Sequence, residues 1–431
     1  MNAPPSYVIP FDARGSCTAP KALDELLKAA SAATDVFVFA HGWNNDWPTA
    51  LARYEAFTTR FTEARTHWWR APDRPYAPVL AGIFWPSTIL LTPGERAPEI
   101  AAEDGTPVRS DVDELAWAVA VAGPPGAADR LRALAARDTL DDAAQHEFAA
   151  LLSPALSAAA DDLDPTPPDP ADLLSVWRRL PPGVGAPAAP ADQGGFIPDG
   201  APPDAVPGGG PRAAGLGLPD PRDIVRAATV LLMKDRAGRV GGNGVSIMLR
   251  RLIEASSTSR LHLVGHSYGA KVVLSALCNG PPPVRDVESA LLLQPAVSAL
   301  CFAADADGKG TPGGYRTALT RVRQPVVTTY SSHDVPLTRL FQWAVRRASD
   351  LGEARIAGTA PSRYAALGGY GPQGTRTGET AWVDALAPDR RYTVAAGGPR
   401  LVAIRGDQVI SGHGDVTTPA TAWALLCQVM G

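Results

Sequence analysis

Short, continuous apolar runs alternate along this chain with longer stretches whose apolar positions recur every three or four residues. The runs read as buried strands and the recurring patterns as helices. Strands are predicted at Tyr7 to Phe11, Val36 to Phe39, Val79 to Trp85, Leu261 to Val264, Ala290 to Leu293 and Pro325 to Tyr330. Helices fall between them: Lys21 to Ala30, with Leu23, Leu26 and Leu27 on one face, then Thr49 to Ala64, Ile224 to Lys234, Val245 to Ser256 and Tyr268 to Cys278. Short strands near Tyr392 to Ala395 and Leu401 to Ile404 precede a closing helix from Pro419 to Met430. Such alternation argues for an α/β fold: a mainly parallel sheet with helices on both faces.

The rhythm breaks between about residues 93 and 221, where Ala, Pro, Gly and Asp dominate. The first part, about 109–160, is expected to be helical and cap-like. Ser110-Asp111-Val112-Asp113 resembles a capping box, and Ala127 to Ala136 and Ala143 to Leu152 carry helix formers. From Asp164 to Pro221, Pro pairs and Gly208-Gly209-Gly210 predict long loops or partial disorder, because little apolar area is available to offset the ordering entropy. The expected organisation is therefore one α/β domain from residues 1–92 and 222–431, interrupted by an insertion at 93–221.

Composition narrows the function by exclusion. Of 431 residues, 45% are hydrophobic and 19% charged, which is ordinary for a globular chain. With 40 basic and 44 acidic residues and no Lys/Arg run, nothing favours nucleic acid or an anionic membrane surface. A neutral or weakly polar substrate is expected. Cys17, Cys278, Cys301 and Cys427 lie far apart and form neither a disulfide framework nor a zinc motif. No cofactor or metal is expected: no metal-ligand cluster is visible, and Gly241-Gly242-Asn243-Gly244 reads as a turn between helices without the Lys-Ser/Thr of a phosphate loop. With no signal-peptide pattern and no long apolar span, the expectation is a soluble, cytoplasmic chain.

The chemistry concentrates in Leu263-Val264-Gly265-His266-Ser267-Tyr268-Gly269-Ala270. A bare Gly-x-Ser-x-Gly would arise by chance about 0.2 times in such a chain, so its setting matters more than its letters. An apolar strand ends at Gly265 and a helical pattern begins directly afterwards, which is the context of a nucleophile elbow. Ser267 is the candidate nucleophile. Ala40-His41-Gly42-Trp43-Asn44-Asn45-Asp46 follows another buried strand. It fits the loop that lends one backbone N–H to an oxyanion hole, with Trp43 as that donor and Tyr268, after the nucleophile, as the second.

With these motifs the sequence resembles an esterase- or lipase-like serine hydrolase with the α/β-hydrolase fold. The resemblance covers about residues 7–87 and 223–431. It implies the chain order nucleophile, acid, histidine. His41, His67, His146 and His262 precede Ser267, and His266 lies inside the elbow, which leaves His333 and His413. His413 is favoured, in the Gly-flanked loop Ser411-Gly412-His413-Gly414 before the last helix. For the acid, Asp334 follows the strand at Pro325 to Tyr330; Asp305, Asp307 and Asp384 are rivals, and Asp334 has an N-capping role as its plainer reading.

The implied triad is Ser267, His413 and Asp334, acting on a small-molecule or lipid ester through an acyl-enzyme. A peptidase, thioesterase or acyltransferase with the same triad, or a non-catalytic binding protein of this fold, are the alternatives. The insertion is a cap by analogy only. Lys271, on the elbow helix, is expected to be solvated, and the tryptophans Trp43, Trp47, Trp68, Trp69 and Trp85 to serve the core.

Overall fold

The computed structural model of the chain describes residues 4–43, 45–69, 74–87, 115–116, 119–120, 123–137, 139–156, 170–177, 233–334, 337–338, 365–388, 390–392 and 397–430. In chain order the first elements are β1 (Ser6–Pro10), α1 (Pro20–Ala32), β2 (Asp35–Ala40), α2 (Trp47–Trp68) and β3 (Pro78–Phe84). Within the insertion lie α3 (Ala127–Ala135), α4 (Asp142–Leu156) and α5 (Pro170–Trp177). A π-helical turn, Val240–Val245, then leads into α6 (Ser246–Ala255). It is followed by β4 (Arg260–His266), α7 (Tyr268–Cys278), β5 (Ser289–Leu293), α8 (Ala318–Arg321) and β6 (Val326–Tyr330). The chain closes with α9 (Leu367–Tyr370), β7 (Thr380–Asp384), β8 (Leu401–Arg405) and α10 (Pro419–Met430).

The eight strands form one open sheet in the order β1-β3-β2-β4-β5-β6-β8-β7, with every pairing parallel. This is an α/β architecture, as the alternating pattern predicts. Both faces are covered, which is why the central strands read as continuous apolar runs. Val36, Val38 and Leu263 join one core with Leu26 of α1, Leu252 of α6 and Val273 of α7. Phe37, Val264 and Leu291 point the other way, into a core with Phe57 and Phe61 of α2 and Leu426 of α10. Alternation along each strand thus feeds two cores from one backbone.

Several elements differ from the sequence reading. Helix α2 starts at Trp47, earlier than expected, because the Asp46 side chain accepts the Thr49 N–H (2.8 Å) and Pro48 occupies its first turn. The Gly241–Gly244 stretch is no turn between helices but part of the π-helical segment. A side chain on Gly241 would collide with the Val272 carbonyl of α7, so glycine permits this close crossing. Strand β7, which the pattern did not suggest, adds an edge beyond β8. Its positions are intermediate or exposed, with Trp382 52% exposed, and its apolar run, Ala381-Trp382-Val383, is only three residues long. Of the expected strand at Tyr392 to Ala395, Tyr392 is not in a strand and the rest lies outside the described residues.

The insertion contains its own apolar cluster, in which Leu131 and Leu134 of α3, Phe148 and Leu152 of α4, and Leu173 and Leu174 of α5 are buried. Helix α5 corrects the expectation of a loose segment from Asp164 onward. The Pro-rich surroundings masked a short apolar run that gains burial against α4. The remainder of 164–221, the capping box at Ser110 to Asp113, Trp117 and most of Ile224 to Lys234 lie outside the described residues. Among the described residues no helix is long and apolar enough to cross a membrane.

Candidate active site at the carboxyl edge of the sheet

Parallel strands deliver all their carboxyl ends to one edge, so residues distant in sequence meet there. Ser267 sits between β4 and α7 with φ 55° and ψ −123°. Such a left-handed conformation is costly for a residue with a Cβ and persists only where surrounding contacts impose it. Here the Ser267 N–H donates to the Leu293 carbonyl of β5 (3.1 Å), and its carbonyl accepts the N–H groups of Ala270 (3.1 Å) and Ala296 (3.2 Å). The turn also brings α7 against the end of β2. A Cβ on Gly269 would stand 2.0 Å from the Ala40 carbonyl oxygen, so only glycine fits.

Three sequence-predicted residues are brought into contact. His413 Nε2 lies 2.8 Å from Ser267 Oγ, and His413 Nδ1 lies 2.8 Å from Asp334 Oδ2. A carboxylate oxygen can only accept, so Nδ1 carries the proton and Nε2 faces the hydroxyl with its lone pair. Asp334 is fully buried, Ser267 is 2% exposed, and the His413 side chain is 24% exposed. Asp334 also caps the following turn, its Oδ1 accepting the Leu337 N–H (3.1 Å), so the capping role and the contact with His413 coexist on separate oxygens. The rivals lie elsewhere. Asp305 and Asp307 close an exposed loop on backbone N–H groups, Asp384 pairs with Arg405 on the surface, and His333 is exposed.

The loop after β2 is adjacent to the elbow, with the Trp43 and Tyr268 rings in edge contact at 6.5 Å. Tyr268 is the first residue of α7, where helix N–H groups point outward and favour negative charge. Asn45, which the sequence reading placed in this loop without a role of its own, organises it. Its side-chain amide donates to the carbonyls of Gly42 (2.9 Å) and Trp43 (2.8 Å), while its backbone N–H donates to Ser87 Oγ (3.1 Å). His41 is buried beneath, its Nδ1 2.8 Å from the Gly42 carbonyl and its ring stacked on Trp85. Burial pushes the His41 imidazole down to about 4, a shift that the Gly42 carbonyl partly opposes and Arg53 reinforces.

Two further residues approach His413 from the sheet. His266 Nε2 donates to the His413 carbonyl (2.9 Å), and Gln294 Nε2 donates to the carbonyls of Gly412 (2.7 Å) and His413 (3.2 Å). Gln294 carried no signal beyond its place after an apolar strand. Lys271 corrects another expectation: it is 2% exposed, because α7 is buried along nearly its whole length rather than on one face. Trp69 and Trp85 are buried as expected, whereas Trp47 and Trp68 are 36% and 42% exposed. Among the described residues no group of three or more His, Cys, Asp or Glu is placed to hold a metal ion. No protein-family model, curated protein or solved structure matches the chain.

Proposed function

We propose that this chain is a serine hydrolase with the α/β-hydrolase fold that cleaves carboxylic esters. The observation that carries the reading is the continuous Asp334–His413–Ser267 contact, 2.8 Å at each link, ending on a serine held at φ 55° before a helix. A serine hydroxyl is a weak nucleophile until a base takes its proton. In the proposed reaction His413 Nε2 accepts that proton as Ser267 Oγ bonds to the ester carbonyl carbon. Asp334 holds the tautomer and stabilises the imidazolium. The Trp43 and Tyr268 N–H groups receive the oxyanion. Collapse breaks the bond to the leaving alkoxide, which takes the proton from His413. Water, deprotonated by His413, then releases the acid from Ser267.

Labelling with a fluorophosphonate probe tests this directly, alongside turnover of p-nitrophenyl acetate and octanoate. The native chain is expected to label, and Ser267→Ala to lose both labelling and turnover, by about 10⁶-fold in kcat. A folded native chain that neither labels nor hydrolyses either ester would overturn the reading and favour a binding protein.

A further inference from the structure

We infer that Gln294 and His266 are positioning residues that clamp the backbone of the His413 loop and thereby hold its imidazole against Ser267. The inference rests on the serine-hydrolase reading above and deepens it. His413 lies between Gly412 and Gly414, in a segment outside any strand or helix. Such a segment does not fix a side chain to within a few tenths of an ångström on its own. Two side-chain donors from neighbouring strand ends converge on it. His266, the last residue of β4, and Gln294, directly after β5, share the His413 carbonyl, and Gln294 takes the Gly412 carbonyl as well.

The Gln294 anchor is itself fastened to the sheet. Gln294 has φ 41°, and with Ser267 it is one of two non-glycine residues at positive φ among the described residues. Its backbone N–H donates to Thr329 Oγ1 (3.0 Å), and its side chain is fully buried. The preceding residue, Leu293, accepts the Ser267 N–H. One strand end therefore fastens both the nucleophile and the loop that carries the base. A second strained residue beside the elbow has a mechanical account in this double attachment.

His266 serves only as a neutral donor. The carbonyl it faces accepts, so Nε2 carries the proton, and Nδ1 is buried with no hydrogen-bond partner among the described residues. Burial, followed by the neighbouring His413, holds its imidazole well below the ordinary histidine range. A charge here would oppose the imidazolium forming on His413, whose ring centroid is 5.1 Å away.

The test uses His266→Phe and Gln294→Met, which keep bulk and remove the donor, and His266→Gln, which retains a donor near the Nε2 position. Ester turnover is read as kcat and KM separately. The low-field proton resonance of the His413–Asp334 hydrogen bond provides a readout independent of activity. His266→Phe and Gln294→Met are each expected to lose about ten- to a hundredfold in kcat with KM within about threefold. Their low-field resonance should broaden or vanish. His266→Gln should recover most of kcat and the resonance, and the double variant should lose less than the product of the single losses, since both grip one loop.

Native kcat and an intact resonance in both donor-less variants would overturn the clamp. If the folded native chain neither labels nor hydrolyses either ester, the hydrolase reading fails, and the resonance alone decides the clamp. Its loss in the two variants supports the clamp, and its persistence in them, or its absence from the native chain, overturns it.

Discussion

Two Ser-His-Asp constellations lie at opposite ends of the same sheet. At the carboxyl edge, Asp334, His413 and Ser267 meet at 2.8 Å. At the amino edge, Asp35 Oδ1 lies 3.1 Å from His262 Nε2, and His262 Nδ1 lies 2.8 Å from Ser289 Oγ. By hydrogen bonds alone the two are near equivalents. What surrounds them differs. Ser289 opens the regular strand β5, and Ser289, His262 and Asp35 are all fully buried, with the His262 ring stacked on Phe37 at 4.8 Å. Ser267 instead occupies a strained turn at a helix N-terminus, with a partly exposed histidine beside it.

The acids are also differently engaged. Burial pushes the Asp35 carboxyl up, but hydrogen bonds from His262, Thr34 and Arg74 outweigh it and leave the group below the usual carboxylate range. Arg74 (2.9 Å) and Arg260 (3.0 Å) both pair with it, so its charge is neutralised by guanidinium groups rather than directed at one imidazole. Asp334 makes no ion pair with Lys or Arg among the described residues, and His413 is its ionisable partner. The lesson is that residue types and distances alone do not single out a candidate site. The proposed reading rests instead on the carboxyl edge, the turn conformation and an acid committed to one histidine.

Exchanging each acid for its amide sharpens this contrast most. Asp334→Asn is expected to lower kcat by about 10⁴-fold, roughly 5 kcal/mol, with melting little changed. Asp35→Asn should leave kcat nearly native and instead cost about 3–5 kcal/mol in denaturant unfolding, because two arginines lose a buried partner. A large kcat loss from Asp35→Asn at native stability would erase the distinction.

Acid provides a smaller test. His41 and His266 are held below their unfolded values, so the unfolded chain binds more protons below about pH 6.5. Stability is therefore present above that pH and lost as pH falls, with His41 alone contributing about 3 kcal/mol of loss between roughly pH 6.5 and 4. Urea unfolding at pH 7, 6 and 5 should show the decline beginning before most carboxylates titrate, and a flat profile would show that these rings are not held neutral. The smallest effect is expected from Ser289→Ala, about 1–2 kcal/mol of stability with kcat unchanged, against the near-total loss in Ser267→Ala. Loss of activity in Ser289→Ala would make the amino-edge cluster functional.

Much of the carboxyl-edge geometry was legible in the chain because its cues are local. The run Leu261 to Val264, Gly265 and Gly269, and the apolar spacing of Val272, Val273 and Leu277 together specify strand, tight turn and helix within a few residues. The loop at His41 to Trp43 and the Gly-flanked His413 carry similar short-range marks, and the chain order that the resemblance implies sets His262 aside. Strand β7, helix α5 and the burial of Lys271 were not legible. β7 is a half-exposed edge strand, α5 lies in Pro-rich surroundings and gains its burial against α4, and Lys271 lies on a helix buried on nearly every side, none of which one-face periodicity registers.

The sequence by itself determined the alternation of elements, the parallel α/β class and the identity of the residues brought together at Ser267, since hydrophobic period and turn chemistry act over one or two turns of chain. Only the tertiary structure decided that Asp334 caps a turn while touching His413, that Asn45 shapes the Trp43 loop, and that Gln294 and His266 grip the His413 backbone. Those contacts join residues up to 147 positions apart. They depend on strand order and parallel register, which arise when the whole sheet assembles and which no local pattern encodes.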